Sequence, residues 1–223
     1  LLRHLGLETG HVQAKPALAR QVCGEIGREP IGVIELEHRR TGNPAAFGLG
    51  GQILEQAQAK LQGVGHDLAD PVFADGAKRM LDLTIRDFIR ADGSTVEFIE
   101  YHETEARILR RFTLLGTHDD SCWSRGQAWA IAGFLRGWQE FGETRYRDAA
   151  ARAWGYWFGR VGHAPPPWDF DDPEGPLDSS ASAIVIEQLA RMAVSGPKTE
   201  AKRFTEHLAP MMAGLAKHVQ PTG

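Results

Sequence analysis

The densest concentration of reactive side chains lies in one short segment, Gly116–Trp129. This segment contains two carboxylates, two indoles, an arginine and a glutamine: Asp119, Asp120, Trp123, Trp129, Arg125 and Gln127. Arg125 and Trp129 are four residues apart, so they share one face if the segment becomes helical. A guanidinium can hold a carboxylate through two parallel hydrogen bonds, and an indole can pack against the apolar face of a sugar ring. The pattern therefore indicates a site for an acidic sugar. The alternative is a buried, tryptophan-rich helix start that Asp120 or Ser121 merely caps.

A second segment, Pro166–Ala181, combines consecutive prolines with an aromatic residue and several acids. Prolines beside Trp168 favour a stiff loop that can wall a pocket. Asp178, followed by two serines, is typical of a helix cap. Asp169, Asp171 and Asp172 are interpreted either as solvated loop charges or as calcium ligands, although their spacing matches no EF-hand loop.

The histidines and cysteines form no recognised metal motif, since the chain has no HExxH and no CxxC pair. We therefore predict no metal and no cofactor. A GxSxG elbow is also absent, so nothing supports a serine hydrolase.

Periodic apolar residues predict the helices that must position these segments. The predicted helices run from about 70 to Asp92-Gly93, from Arg125 to Gly142, from Tyr146 to Gly162, from Asp178 past Met192, and from Phe204 to Leu215. Similar stretches at Pro71, Thr144 and Lys202 suggest stacked helix pairs, as in solenoids or closed toroids. The alternative is that any amphipathic helix resembles another. Between the first two helices, Ser94–Tyr101 and Arg107–Thr113 are β-rich runs around a polar turn, which predicts an inserted hairpin.

The composition is that of an ordinary globular protein, with 42% hydrophobic and 24% charged residues among 223. We predict a single helical domain over residues 1–223. The net charge of −4 and the lack of a basic stripe argue against nucleic acid as a partner. No apolar run reaches the roughly 18 residues that cross a bilayer, and no secretion signal opens the chain. Two cysteines are too few for a disulfide framework, which favours a reducing, cytoplasmic location. The oligomeric state is left open.

Four motifs, in order along the chain, resemble the unsaturated glucuronyl hydrolases of glycoside hydrolase family 88. They are Arg90-Ala-Asp-Gly-Ser-Thr95, Trp123-Ser-Arg-Gly-Gln-Ala-Trp129, Trp168-Asp-Phe-Asp171 and Asp178-Ser-Ser-Ala-Ser-Ala-Ile184. A related family of unsaturated rhamnogalacturonyl hydrolases usually has R-G-N-G-W at the second motif, so Gln127-Ala128 favours the glucuronyl family. The resemblance covers residues 65–215 and leaves residues 1–64 poorly matched.

The resemblance implies an all-α fold, an (α/α)6 toroid with a small inserted hairpin. It also implies a metal-independent reaction on oligosaccharides with a 4,5-unsaturated uronic acid at the non-reducing end, which polysaccharide lyases produce. In this reaction a carboxylic acid protonates the C4–C5 double bond, water adds, and the resulting hemiketal falls apart. Transferred by motif, Arg125 and Trp129 bind the substrate, Trp123 and Gln127 shape or brace the pocket, and Trp168 lines its rim.

Departures from the family pattern concern the acids. The family's acid/base aspartate precedes an apolar N-L-P-L-L helix, whereas Gly48–Ala59 contains no aspartate and only Glu55 could substitute. The family histidine after the Ser-Thr pair is replaced in Ser94-Thr-Val-Glu97. Asp120 is then the acid that we nominate as the proton donor.

Because complete members are longer, we predict a partial or divergent toroid. Three functions follow as hypotheses: a hydrolase, a sugar-binding protein without turnover, and a helical scaffold for protein partners.

Overall fold

The computed structural model describes residues 46–48, 71–102, 105 and 107–218, and this part of the chain is mostly helical. The helices are α1 (Pro71–Leu83), which continues as a π-helical turn over Thr84–Phe88, α2 (Ser124–Phe141), α3 (Thr144–Val161), α4 (Ser179–Ser195), α5 (Lys198–Thr205) and α6 (Leu208–Ala216). The strands are β1 (Ala46–Gly48), β2 (Phe98–Tyr101) and β3 (Ile108–Phe112). Glu55 and most of residues 1–64 lie outside the described residues.

Helix α2 is the central element, and its small residues let neighbouring helices approach closely. Twelve of its eighteen residues are buried, and it packs against α1, α3 and α4. A Cβ atom at Gly137 would lie 2.5 Å from Leu81 Cδ1 of α1, which is closer than a side chain tolerates. Gly142 ends the helix with a φ of +68°, and its N–H donates to the carbonyl of Trp138. The predicted start near Arg125 and end at Gly142 are confirmed.

Helices α3 and α4 both bury a single apolar face against α2. The buried faces carry the residues whose spacing predicted them: Tyr146, Ala150, Ala153 and Trp157 on α3, and Val185, Leu189 and Met192 on α4. Helix α4 begins at Asp178, whose Oδ1 accepts hydrogen bonds from the N–H groups of Ser180 and Ala181 at 3.1 and 3.2 Å. The predicted cap is confirmed.

The last predicted helix is divided in two. Helix α5 ends at Thr205 and α6 starts at Leu208, with Glu206 and His207 between them. Pro210 explains the division, because it has no N–H to donate to the carbonyl of Glu206 and its ring crowds that carbonyl. A proline is tolerated within the first turn of a helix, so the helix restarts just before it.

The inserted hairpin is confirmed and is extended by a third strand. Strands β2 and β3 pair antiparallel, with Phe98 opposite Phe112. Strand β1 pairs antiparallel with the other edge of β2, giving the order β1-β2-β3. Three residues are too few to show an alternating pattern, so β1 was not predicted from the sequence.

No helix in residues 71–102 or 107–218 is long and apolar enough to cross a membrane.

A pair of histidines joins the end of α3 to the break before α6. His163 Nε2 and His207 Nδ1 lie 3.0 Å apart, and both rings pack against Phe158. Burial, followed by the neighbouring charge of His163, lowers the pKa of His207 below 6.5, while Glu206 opposes the shift. If both rings are protonated, neither nitrogen can accept, so the hydrogen bond between them is lost.

We expect the histidine pair to make the protein less stable in acid. Because the folded-state pKa of His207 is depressed, its contribution is fully present above pH 6.5 and is lost as the pH falls through the folded-state pKa. The free energy of unfolding, measured by urea titration between pH 8 and pH 5, should therefore fall more steeply in the parent protein than in His207→Phe. The exposed residue His218 provides the control, and His218→Phe should keep the parental slope. Equal slopes for the parent and His207→Phe would contradict the expectation.

Candidate functional site

The guanidinium of Arg125 lies between two indoles at the start of α2. Its central carbon is 4.7 Å from the ring centroid of Trp168 and 5.2 Å from that of Trp123. Its Nε donates to Asp178 Oδ2 at 3.0 Å, and Nη2 forms an ion pair with the same oxygen, also at 3.0 Å. The side chain keeps 30% of its surface exposed, whereas that of Asp178 is 4% exposed. The cation is thus fixed in orientation on one side and open to solvent on another.

Trp168 is held in place through its indole nitrogen. Nε1–H donates to the carbonyl of Leu115 at 2.7 Å, and the ring centroid lies 6.3 Å from that of Trp123. The backbone carbonyl of Trp168 also accepts from the N–H of Ser124, the first residue of α2. Both ends of Trp168 are therefore tied to the segment that carries Arg125.

Asp169 fastens the two loops of the site together. It is fully buried, and it accepts hydrogen bonds from Ser121 Oγ at 2.6 Å and from the N–H of Thr117 at 3.0 Å. A third donor, the N–H of Asp171, lies within its own loop at 2.9 Å. A bridge between Trp123 and Asp169 continues the connection along the backbone. Loops 113–123 and 165–178 therefore form one unit, and Asp169 is a structural link between them.

Glu97 is a further buried acid beside this unit, and sequence reasoning gave it no role beyond replacing a histidine. Its Oε2 accepts from Thr113 Oγ1 and from the N–H groups of Leu114 and Leu115, both at 3.0 Å. Its side chain is 5% exposed. The sequence feature that could have identified Glu97 as a buried acid is its position as the single acid within the apolar run Val96–Ile99.

Trp129 occupies a different environment from the other two indoles. It is half-buried and packs against the cluster of Phe88, Val96 and Ile99. The cation–π contacts of Arg125 go instead to Trp123 and Trp168. The substrate role of Trp129 stays a prediction.

Asp120 lies in the turn that precedes α2 and is exposed. Within the described part of the chain its side chain makes no hydrogen bond or ion pair, and the carboxylate that reaches Arg125 is that of Asp178. Its neighbour Asp119 accepts from the N–H of Thr113 at 3.1 Å. The role of Asp120 as proton donor stays a prediction.

Gln127 is fully buried and braces α2 from beneath the site. Its Nε2 donates to the carbonyls of Gly93 and Ala153, both at 2.9 Å, and its Oε1 accepts from Cys122 Sγ. Gln127 thus ties the first turns of α2 to the turn after α1 and to α3.

We expect Gln127→Leu to lower the free energy of unfolding by about 2–4 kcal/mol, because two buried carbonyls lose their donors. Urea denaturation measures this change. Gln139→Leu, on the same helix, loses a donor to the exposed Ser195 and one long contact, at 3.4 Å, from Gln188 Nε2, and should cost only about 1 kcal/mol. If the two variants were equally stable, Gln127 would not be a brace.

The described residues contain no group of three or more histidine, cysteine, aspartate or glutamate side chains that could hold a metal ion. The described part of the site presents an oriented cation between aromatic planes. Such a cluster suits a planar or ring-shaped anion.

No family model matches the chain. It is 32% identical over 127 residues to an unsaturated glucuronyl hydrolase of Formosa agariphila, covering 54% of this chain and 32% of that protein. It is also 30% identical over 150 residues to an unsaturated glucuronyl hydrolase of Bacillus sp. GL1, covering 64% of this chain and 39% of that protein.

The fold matches that of solved unsaturated glucuronyl hydrolases, which are helical toroids. The crystal structure from Bacillus sp. GL1 is similar with a TM-score of 0.68 and 25% identity, over 81% of this chain and 48% of that chain. A mutant from Streptococcus agalactiae, complexed with dGlcA-GalNAc6S, shares the fold with a TM-score of 0.58 and 18% identity, over 76% of this chain and 46% of that chain.

The described helices are accordingly part of an α/α toroid. In sequence and in fold the chain is similar to unsaturated glucuronyl hydrolases. It spans less than half the length of these relatives.

Proposed function

We propose that this protein is a glycoside hydrolase for oligosaccharides that carry a 4,5-unsaturated uronic acid. The observation that carries the proposal is the partly exposed guanidinium of Arg125 between the indoles of Trp123 and Trp168. The names of the curated relatives support the same activity. The oligosaccharide dGlcA-GalNAc6S in one relative's structure supports the substrate class.

Arg125 would receive the uronic acid carboxylate. Asp178 engages Nε and Nη2, while Nη1 makes no hydrogen bond within the described residues. A carboxylate at Nη1 would form a charge-assisted hydrogen bond, and the flanking indole would cover the ring. Because Asp178 already fixes the guanidinium plane, less rotational freedom is lost on binding.

The proposed reaction is hydration of an enol ether. A carboxylic acid gives its proton to C4, so the C4–C5 π bond breaks and positive charge develops at C5 and the ring oxygen. Water then adds to C5 and returns a proton to the carboxylate. The resulting hemiketal opens and releases the remaining sugar. This route differs from a two-carboxylate displacement at C1. Asp120 is the acid that the sequence nominates.

The test is the ultraviolet absorbance of the conjugated double bond. Purified chain is mixed with lyase digests of glycosaminoglycans, and the loss of absorbance is followed over time. We expect the absorbance to fall, and Asp120→Asn to slow that fall at least about 100-fold if Asp120 is the acid. Full activity in Asp120→Asn would remove Asp120 from the reaction. No loss of absorbance with any digest would reject the hydrolase.

A second candidate function, sugar binding without turnover, is favoured by the contacts of Asp178 and Asp120. Asp178 is committed to Arg125 and to the first turn of α4. The side chain of Asp120 makes no hydrogen bond or ion pair with the described site residues. Calorimetric binding of an unsaturated disaccharide whose absorbance then stays constant would support this candidate over the first.

The scaffold hypothesis is less consistent with the site. Full burial of both Trp123 and Trp129 against other helices would favour this hypothesis, whereas Trp129 is only half-buried.

A further inference from the structure

Glu97 lies in the bend just before β2, and its contacts show that it faces the site loops. Thr95 Oγ1 lies 3.6 Å from Cys122 Sγ, and Glu97 contacts Thr113 and its two successors. Both side chains therefore face the segment that leads into α2.

One oxygen of Glu97 organises a turn. Oε2 gathers the N–H groups of Leu114 and Leu115 together with the hydroxyl of Thr113. The other oxygen, Oε1, is buried and has no hydrogen-bond partner among the described residues. Burying a carboxyl costs free energy unless its polar contacts compensate. Within this part of the chain the compensating contacts come from the turn, so the turn and Glu97 fix each other's positions.

The turn is connected to the site by a direct hydrogen bond from Trp168. The N–H of Leu115 is bound by Glu97, and the carbonyl of the same residue accepts from Trp168 Nε1 at 2.7 Å. The ring of Trp168 then lies over the guanidinium of Arg125. Leu114 and Leu115 are themselves exposed, by 69% and 42%, so their side chains do little to anchor the turn.

We infer that Glu97 is a positioning residue that places the indole of Trp168 over Arg125 through the turn at Leu114–Leu115. The consequence for sugar affinity rests on the proposed function. The placement of the indole does not, and the two are therefore tested separately.

The placement is tested without a sugar, by the indole N–H resonance of Trp168 in a ¹⁵N-labelled protein, assigned with Trp168→Phe. In Glu97→Ala this resonance should shift, and its exchange with water should become about tenfold faster, because Leu115 is no longer held. Glu100→Ala is the matched control. Glu100 lies on β2 and pairs with Arg110, away from the turn, so the resonance should stay in place.

Glu97→Gln separates positioning from general stability. The amide oxygen can still accept from the turn, so the Trp168 resonance should return close to its parental position. The amide NH2 would then occupy the buried position that has no partner, so the melting temperature should still fall. A residue with only a structural role would shift the resonance in proportion to the loss of stability in both variants.

An unchanged Trp168 resonance in Glu97→Ala overturns the inference. If that variant does not fold, Glu97→Asp decides instead, because it keeps the charge but withdraws the carboxylate by one methylene from the N–H groups of Leu114 and Leu115. A smaller shift of the same resonance then supports the inference, and no shift overturns it.

The effect of Glu97 on sugar affinity is measured by calorimetric titration with an unsaturated chondroitin disaccharide. We expect Glu97→Ala to raise Kd about threefold to tenfold, the effect of a misplaced cation–π partner. In a Trp168→Phe background the same change should have little effect, because the connection through the indole is already lost. A resonance that shifts while the parent binds no sugar would reject the proposed function and leave the inference standing.

Discussion

Replacing Asp169 by alanine is expected to lower the free energy of unfolding by about 3–5 kcal/mol. The carboxylate is fully buried and accepts from three donors, two of them on the other loop. Alanine would leave the buried hydroxyl of Ser121 and two partly buried N–H groups without their acceptor. Each unsatisfied buried donor costs about 1–3 kcal/mol, and relaxation of the loops recovers part of that sum. Chemical denaturation followed by tryptophan fluorescence measures the change.

Two further variants show whether the loss comes from the link between the loops. Asp169→Asn keeps one acceptor oxygen and should lose less than alanine. Asp172→Ala, at an exposed position in the same loop, should change stability by under about 0.5 kcal/mol. If Asp169→Ala cost no more than Asp172→Ala, the loops would be held by their backbone bridges alone.

The helix ends were predictable because their signals are local. Gly142 and Gly162 follow the last apolar residue of α2 and α3, and each has a positive φ in the structure. Asp178 caps α4 through N–H groups only two and three residues away. Such contacts depend on neighbouring residues and are therefore visible in sequence spacing.

The pairing within the site was not predictable, because its contacts join distant parts of the chain. Arg125 reaches Asp178 across 53 residues, and Ser121 reaches Asp169 across 48. The spacing of Arg125 and Trp129 suggested a shared face, yet the indoles at the guanidinium come from residue 123 and a separate loop. The partners of an arginine are set by loop packing, for which helical periodicity carries no information.

Asp178 makes both a local contact, which the sequence predicted, and a distant contact, which it did not. Its Oδ1 caps α4, which the sequence predicted, and its Oδ2 holds Arg125, which the sequence did not. The start of α4 thereby fixes the orientation of a cation on α2. Because both oxygens of Asp178 are engaged in these contacts, the acid nominated for the proposed reaction is another group, Asp120.

The largest effect on sugar affinity is expected from Arg125→Lys. Lysine keeps the charge but has neither a flat surface to lie between indoles nor a fork that bonds Asp178 and a ligand together. We expect the affinity for an unsaturated uronic acid disaccharide to fall about 10- to 100-fold, which corresponds to the loss of one charge-assisted hydrogen bond of about 1.5–3 kcal/mol. Calorimetric titration with the disaccharide measures this loss.

Arg136→Lys is the matched control, because Arg136 lies near the other end of the same helix and pairs with Glu140. It makes the same chemical change away from the site and should leave affinity unchanged. A saturated disaccharide that lacks a carboxylate should bind weakly to the parent and to both variants, since it has no anion for the guanidinium. If Arg125→Lys bound the unsaturated disaccharide as tightly as the parent, the cation between Trp123 and Trp168 would serve only to join α2 to α4.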